Sequence, residues 1–127
     1  MNPSFFRAVL RNLVLAAALL ARGGALAHVA LVSSTPAAAS HVPSAECIDL
    51  TFNQAVLPRA SRITVSRVNA DKSLTEVENV DITLVDGNKT MRATPRQALP
   101  PGNYRVEWRA VGGDQHPMTG GFVFMVH

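Results

Sequence analysis

The stretch GNYRVEWRAV, residues 102–111, alternates between apolar and polar side chains along most of its length. A period of two puts successive side chains on opposite faces, which predicts a β-strand with one buried and one solvated face. Arg105, Glu107 and Arg109 then face solvent, and Trp108 is the expected anchor of a hydrophobic core. The predicted buried face consists of Tyr104, Val106, Trp108 and Ala110.

Other strand-like stretches lie before and after this one: ECIDLTF (46–52), SRITVSRV (61–68, less regular), VDITLVDGN (80–88) and GFVFMVH (121–127). Turn-forming clusters rich in Pro and Gly separate them. Residues 28–127 show no convincing 3.6-residue apolar period. Several short strands in about a hundred residues favour an all-β domain, an antiparallel β-sandwich or barrel of Greek-key type. In each of these stretches, alternation places a set of apolar residues on one face of the strand: Ile48, Leu50 and Phe52; Ile63 and Val65; Ile82 and Leu84; and Phe122, Phe124 and Val126.

Residues 1–27 have the pattern of a secretory signal peptide. Arg7 and Arg11 precede an apolar run of nine residues, Leu13 to Ala21, and Ala25 and Ala27 supply the small residues that a signal peptidase requires. Nine helical residues span about 14 Å, roughly half of a bilayer core. We therefore predict export, cleavage after Ala27 and a mature domain of residues 28–127 without a membrane span.

Cleavage changes the electrostatics of the chain. The formal charge of +3 arises from twelve Lys and Arg against nine Asp and Glu, and three of the arginines lie in residues 1–27. The mature domain is then near neutral, which removes the argument for nucleic-acid or anionic-membrane binding. Cys47 is the single cysteine, so no intramolecular disulfide can form in the oxidising compartment that export implies.

Two motifs contain metal-binding donors. Cleavage would make His28 the first residue, with a free α-amine and a ring Nδ1 that can chelate one ion. The segment GGDQHPMTG contains Asp114 and His116, which point to the same side of an extended chain. An amine, two imidazoles and a carboxylate form an N3O set that suits tetragonal Cu(II).

Each motif also has a plainer interpretation. An Asp-x-His in a glycine-rich loop is usually a solvated turn, and an N-terminal histidine can be an accident of cleavage. Periodicity does not place residue 28 beside residues 114–116, so the residues alone leave both interpretations open. We expect His41 and His127 to be solvated, and Cys47 to be partly covered without a role.

The chain resembles the CopC family of periplasmic copper-resistance proteins. The resemblance rests on HVALVSSTPA at the predicted cleavage point, on IDLTFNQAV, and on LPPGNYRVEWRAVGGDQHPMTGGFVFMV, and runs from His28 to Val126. It implies an Ig-like or cupredoxin-like Greek-key β-sandwich. It also implies a Cu(II) site formed by His28, Asp114 and His116, the residues reached above from donor chemistry.

The chain departs from the family pattern at two points. Some members have a methionine-rich loop that binds Cu(I), whereas Met91, Met118 and Met125 are scattered here. Many members carry a carboxylate near the metal where this chain has Gln54, whose neutral amide can still orient a ligand or a water. We therefore predict one Cu(II) ion and no dedicated Cu(I) site.

The leading functional hypothesis is a non-enzymatic, monomeric periplasmic protein that captures one Cu(II) ion for copper homeostasis and resistance. It would buffer the ion or pass it to an inner-membrane copper-transport protein, the partner that the resemblance implies. One alternative is a copper oxidase or monooxygenase with a histidine brace, although Asp114 would stabilise Cu(II) and disfavour oxygen chemistry. Another is a metal-free Ig-like interaction module, because a sandwich fold alone does not determine function.

Overall fold

The structure, a computed structural model, describes residues 27–127. Nine β-strands and their connections make up this part of the chain, which contains no helix and therefore none long and apolar enough to cross a membrane. The expected all-β class is confirmed. The predicted signal peptide lies outside the described residues apart from Ala27, and it stays a prediction.

Four strands form the first sheet. They are β1 (Leu31–Thr35), β3 (Ile48–Phe52), β6 (Val80–Val85) and β7 (Thr90–Pro95), arranged in the order β1-β3-β7-β6. All neighbours are antiparallel. A hairpin joins β6 to β7 through Asp86, Gly87 and Asn88, which all have positive φ. Gly, Asn and Asp tolerate this backbone conformation better than other residues, which explains why the turn forms at this point of the sequence.

Five strands form the second sheet. They are β2 (His41–Val42), β4 (Arg62–Val68), β5 (Leu74–Glu76), β8 (Gly102–Val111) and β9 (Pro117–Val126), in the order β2-β9-β8-β4-β5. The sheet is antiparallel except at one edge, where the short strand β2 runs parallel to β9. The expected β-sandwich is therefore confirmed, and its strands are antiparallel at every pairing except that of β2 with β9.

The two sheets pack face to face around one core. Alternate residues of β3 and β8 enter it as the sequence predicts: Ile48, Leu50 and Phe52 are buried, as are Tyr104, Val106 and Ala110. Trp108 is only partly buried, and its ring meets Phe52 edge to face with 5.2 Å between centroids. Ile82 is 42% exposed because β6 is an edge strand of its sheet.

One end of the sandwich brings two distant parts of the chain together. The β8–β9 hairpin closes there through residues 112–116, after the pair Val111 and Pro117. The segment that enters β1 reaches the same end, because Asn53 and Gln54, which follow β3, hydrogen bond to residues 27–30. Sheet order thus places residue 28 beside the loop that contains residues 114–116.

Candidate metal site

The segment around His28 is anchored by the residue that follows it. Val29 is fully buried and belongs to the core cluster. The Asn53 side chain binds the backbone on both sides of Val29: its Oδ1 accepts a hydrogen bond from Ala30 N (2.9 Å), and its Nδ2 donates to His28 O (3.3 Å). A buried valine and two side-chain hydrogen bonds therefore restrict where His28 can lie.

The loop between β8 and β9 is held by hydrogen bonds of its own. Gln115 has a φ of 60°, and its N–H donates to Gly112 O at 3.0 Å. The backbone N–H of His116 donates to Asp114 Oδ1 at 3.1 Å, an Asx-type bond that fixes the carboxylate relative to the histidine. The loop therefore presents Asp114 and His116 in a defined relative position.

The three predicted ligands lie together in the structure. His28 Nδ1 is 2.7 Å from Asp114 Oδ2, although 86 residues separate them in sequence. The rings of His28 and His116 have centroids 5.2 Å apart and are tilted by 51°. The His28 side chain is 61% exposed and that of Asp114 is 13% exposed. The donors thus form a cluster at the surface that solvent can reach.

These separations are compatible with ligands of one ion. Two donors that bind at right angles, each about 2.0 Å from the ion, lie about 2.8 Å apart, close to the Nδ1–Oδ2 separation. Two imidazoles on one ion have centroids between about 4.5 and 6.3 Å apart, depending on the angle at the metal. The distance between the rings of His28 and His116 falls in this range.

In the unprocessed chain, the N3O ligand set is incomplete. His28 N is joined to Ala27 in a peptide bond, and Nδ1 is engaged by Asp114. As the chain stands, residues 27–127 contain no group of three or more His, Cys, Asp or Glu side chains placed to hold a metal ion. The cluster therefore brings the predicted donors together without forming a finished site.

The Asp114 carboxyl is held in its anionic form. The backbone N–H of His116 lowers the pKa of Asp114 most, and the hydrogen bond from His28 lowers it further, against a smaller opposing effect of burial. A carboxylate that accepts two hydrogen bonds is stabilised as the anion. Asp114 therefore supplies one negative charge at neutral pH.

Gln54 is the neighbour that separates the anchored segment from the loop. Its Nε2 donates to Ala27 O at 2.7 Å, the carbonyl of the Ala27–His28 peptide bond. Its Oε1 lies so close to Gly112 that a Cβ built there would be 2.8 Å from that oxygen. The Gln54 amide therefore lies between the N-terminal segment and the loop. This is the position at which many members of the family carry a carboxylate near the metal.

The contacts of Asn53 at this end of the sandwich could not be predicted from the sequence. Asn53 directly follows the LTF strand in the sequence, but nothing there indicates that its amide hydrogen bonds to the backbone of His28 and Ala30, which lie 25 and 23 positions earlier.

The remaining candidates lie apart from the cluster. His41 and His127 are at the opposite end of β9 and are exposed, as expected. Cys47 is half-buried immediately before β3, as expected for a partly covered thiol. Met118 is partly buried and packs against the core.

Comparison with known proteins identifies relatives of the whole domain. Residues 31–127 match the CopC domain family. A copper resistance protein C from Escherichia coli is 38% identical over 106 residues, covering 80% of this chain and 83% of that protein. Another, from Xanthomonas campestris pv. juglandis, is 33% identical over 131 residues, covering 95% of this chain and 97% of that protein.

A solved structure shows the same fold. The crystal structure of PcoC, a methionine-rich copper resistance protein from Escherichia coli, superposes with a TM-score of 0.73 and 36% identity, covering 80% of this chain and all of that one. The sandwich, the sequence identity and the extent of the match agree with the resemblance found in the sequence, and the chain belongs to the CopC family.

Proposed function

We propose that this protein is a periplasmic copper carrier that captures a single Cu(II) ion after export. Its relatives are named copper resistance proteins, which supports copper as the cargo. The observation that carries the proposal is the 2.7 Å contact between His28 Nδ1 and Asp114 Oδ2, with the His116 ring alongside. Cleavage after Ala27 adds the α-amine that completes an N3O set.

Capture proceeds by ligand assembly. The α-amine and Nδ1 of His28 chelate the ion, the His116 ring adds a third nitrogen, and Asp114 adds an anionic oxygen. The ion takes the place of the hydrogen bond between His28 and Asp114, so little rearrangement of these two side chains is needed. Since Val29 and Asn53 already restrict His28, the chelating residue loses little further conformational entropy on binding.

Gln54 positions the amine. In the unprocessed chain its amide donates to the carbonyl of the peptide bond predicted to be cleaved. Removal of Ala27 frees this amide next to the new α-amine, where Gln54 Oε1 can accept an N–H of the bound amine. Its contact with Gly112 keeps the amide on the loop side of His28.

The donor set favours a carrier over an enzyme. Asp114 lies within bonding reach of an ion held by His28, and its pKa is lowered by two hydrogen bonds. An anionic oxygen ligand stabilises Cu(II) relative to Cu(I) and occupies a position that oxygen would need, which disfavours an oxidase or monooxygenase reaction. The ion is therefore bound as Cu(II) and released as Cu(II).

The location of the cluster suits transfer to a partner. The His28 side chain is 61% exposed, and the cluster lies at one end of the sandwich, where a second protein can offer competing ligands. The partner we propose is an inner-membrane copper-transport protein, met by the exported, near-neutral monomer in the periplasm.

The test is a Cu(II) titration of protein that begins at His28 against protein with one extra alanine before His28, each in competition with a chelator of known affinity. The extra residue converts the amine to an amide and should lower the affinity at least a hundredfold. A variant with an extra residue after His127 is the matched control and should bind like the unextended protein. Equal affinities with and without the extra alanine would contradict the proposal.

A further inference from the structure

The outer face of the second sheet carries two arginines that lie opposite each other. Arg62 on β4 and Arg109 on β8 are direct cross-strand partners, and both are exposed. Like charges in this position repel each other and destabilise the sheet. In the described part of the chain the arginines that form ion pairs are Arg92, Arg96 and Arg105, so neither Arg62 nor Arg109 has an acidic partner there.

Both arginines point away from the core. Ile63 and Ala110, which follow them in sequence, are buried, so alternation turns Arg62 and Arg109 outward. Thr119 on β9 is the cross-strand partner of Arg109 and is exposed on the same face. The three side chains therefore form one polar row across three neighbouring strands.

A shallow trough of about 480 Å³ continues from this row along β8. Its centre is open because Gly121 has no side chain, and the ion pair between Arg105 Nε and Glu107 Oε1 (2.8 Å) lies beside that glycine. With Arg62 and Arg109 the trough contains three cations and one anion. We call it the basic trough.

One end of the basic trough adjoins the proposed copper ligands. Arg109 is two residues, or about 7 Å, from Val111, after which the loop of residues 112–116 begins. The backbone N–H of Val111 donates to Ser61 Oγ at 3.1 Å, which holds the start of β4 against the same end of β8. A protein that occupied the trough would therefore lie next to that loop.

The arrangement of charges favours an extended acidic segment as the occupant. The arginine guanidinium binds a carboxylate through two parallel hydrogen bonds. Arg105 and Arg109 are separated by about 13 Å along the strand, which is more than one carboxylate or phosphate can span. Glu107 lies between them and would repel the continuous negative charge of a membrane or a nucleic acid, whereas a peptide can place an uncharged residue at that point.

We propose that the basic trough docks an acidic segment of a partner protein and brings the metal ligands of that partner to the loop that contains Asp114 and His116. The transfer of copper rests on the proposed carrier function, but docking requires no metal ion and can be measured without one. Charge pairs at the rim of an interface mainly raise the rate of encounter and make it sensitive to salt.

NMR titration of the metal-free protein that begins at His28 tests the docking directly. A hexaglutamate peptide is added at low ionic strength, and the arginine Nε–H signals are followed. The signals of Arg62 and Arg109 should shift, whereas that of Arg96, which is paired with Asp81 on the other sheet, should stay in place. Hexaglutamine should cause no shift, and physiological ionic strength should weaken the binding of hexaglutamate.

A double variant, Arg62→Gln with Arg109→Gln, should weaken hexaglutamate binding at least tenfold. The matched control is Lys72→Gln with Lys89→Gln, which removes two exposed charges that do not line the trough and should bind hexaglutamate two- to threefold more weakly at most. Urea unfolding of each variant shows whether the fold is intact. Equal loss of affinity in the two double variants would overturn the proposal, because it would show that the overall charge determines binding.

Two further measurements distinguish the partner class and the carrier function. Binding of the parent protein to vesicles that contain phosphatidylglycerol, without binding to hexaglutamate, would overturn the proposal in favour of a membrane surface. The Arg62→Gln and Arg109→Gln double variant should bind Cu(II) with the affinity of the parent protein. A parent protein that binds hexaglutamate but no Cu(II) would support the docking surface and contradict the carrier function alone.

Discussion

Replacement of Gly112 by alanine tests how closely the N-terminal segment and the loop are packed at the proposed copper site. The new Cβ would lie 2.8 Å from Gln54 Oε1, 3.0 Å from Gln54 Cδ and 3.4 Å from Val29 Cβ. The first two contacts are too short, so the flexible Gln54 amide must move, whereas Val29 remains in ordinary contact. The substitution thus displaces one amide without disturbing the core.

The expected effect on copper binding follows from this displacement. Gln54 can no longer hydrogen bond to the amine of His28, and one such bond is worth about 1 kcal/mol net. That free energy corresponds to about a fivefold rise in the Kd for Cu(II). The free energy of unfolding should change little, since alanine also reduces the entropy of the unfolded chain by the equivalent of about 0.4–1 kcal/mol.

Gly113→Ala is a matched control. A Cβ at Gly113 meets no atom within 4 Å, and its φ is not in the left-handed region. Both variants are compared with the parent protein, each starting at His28, by Cu(II) competition titration and by urea unfolding of the metal-free form. Gln54→Ala should reproduce the fivefold loss of Gly112→Ala. Equal Cu(II) affinities for Gly112→Ala and Gly113→Ala would refute the assigned role of Gln54.

Three further outcomes follow from individual residues. Val29→Ala should lower the free energy of unfolding by about 2 kcal/mol in urea, because two buried methyl groups are removed, whereas Val32→Ala, at a side chain 66% exposed, should change it little. Burial raises the pKa of Tyr104, so the neutral Tyr104 side chain contributes its full stability below about pH 10, and this contribution is lost as the pH rises further. Thermal unfolding between pH 8 and pH 11 should show this loss in the parent protein but not in the Tyr104→Phe variant. Asp114→Asn keeps the shape but removes the charge, and should weaken Cu(II) binding at least tenfold in the same competition titration.

The strands with regular alternation could be predicted from sequence. In β3 and β8 the apolar residues fall on every second position and enter the core as expected. In β7, by contrast, buried Met91 and Ala93 stand among Thr, Arg and Pro, so the sequence offered little indication of a strand. The strands β2 and β5 have two and three residues, too few to show an alternating pattern in the sequence. They form only because they pair with longer neighbouring strands.

The proposed Cu(II) ligands could be identified from their donor chemistry, but their proximity could not be predicted from the sequence. His28 and Asp114 are 86 residues apart, and what joins them is the sheet order and the two hydrogen bonds that Asn53 makes on either side of Val29. For the same reason, the sequence did not show that His41 lies beside Met125, since the pairing of β2 with β9 depends on the tertiary fold. Ligand types can thus be recognised locally, whereas their assembly requires the fold.

In the proposed mechanism, cleavage after Ala27 creates a site with three nitrogens and one oxygen around a single Cu(II) ion. Pulsed electron paramagnetic resonance of protein beginning at His28, loaded with one equivalent of Cu(II), tests it most directly. We expect a tetragonal spectrum with couplings from two imidazoles and one amine nitrogen, and the loss of one imidazole coupling in the His116→Ala variant. A spectrum with a single imidazole, or one that His116→Ala leaves unchanged, would contradict it.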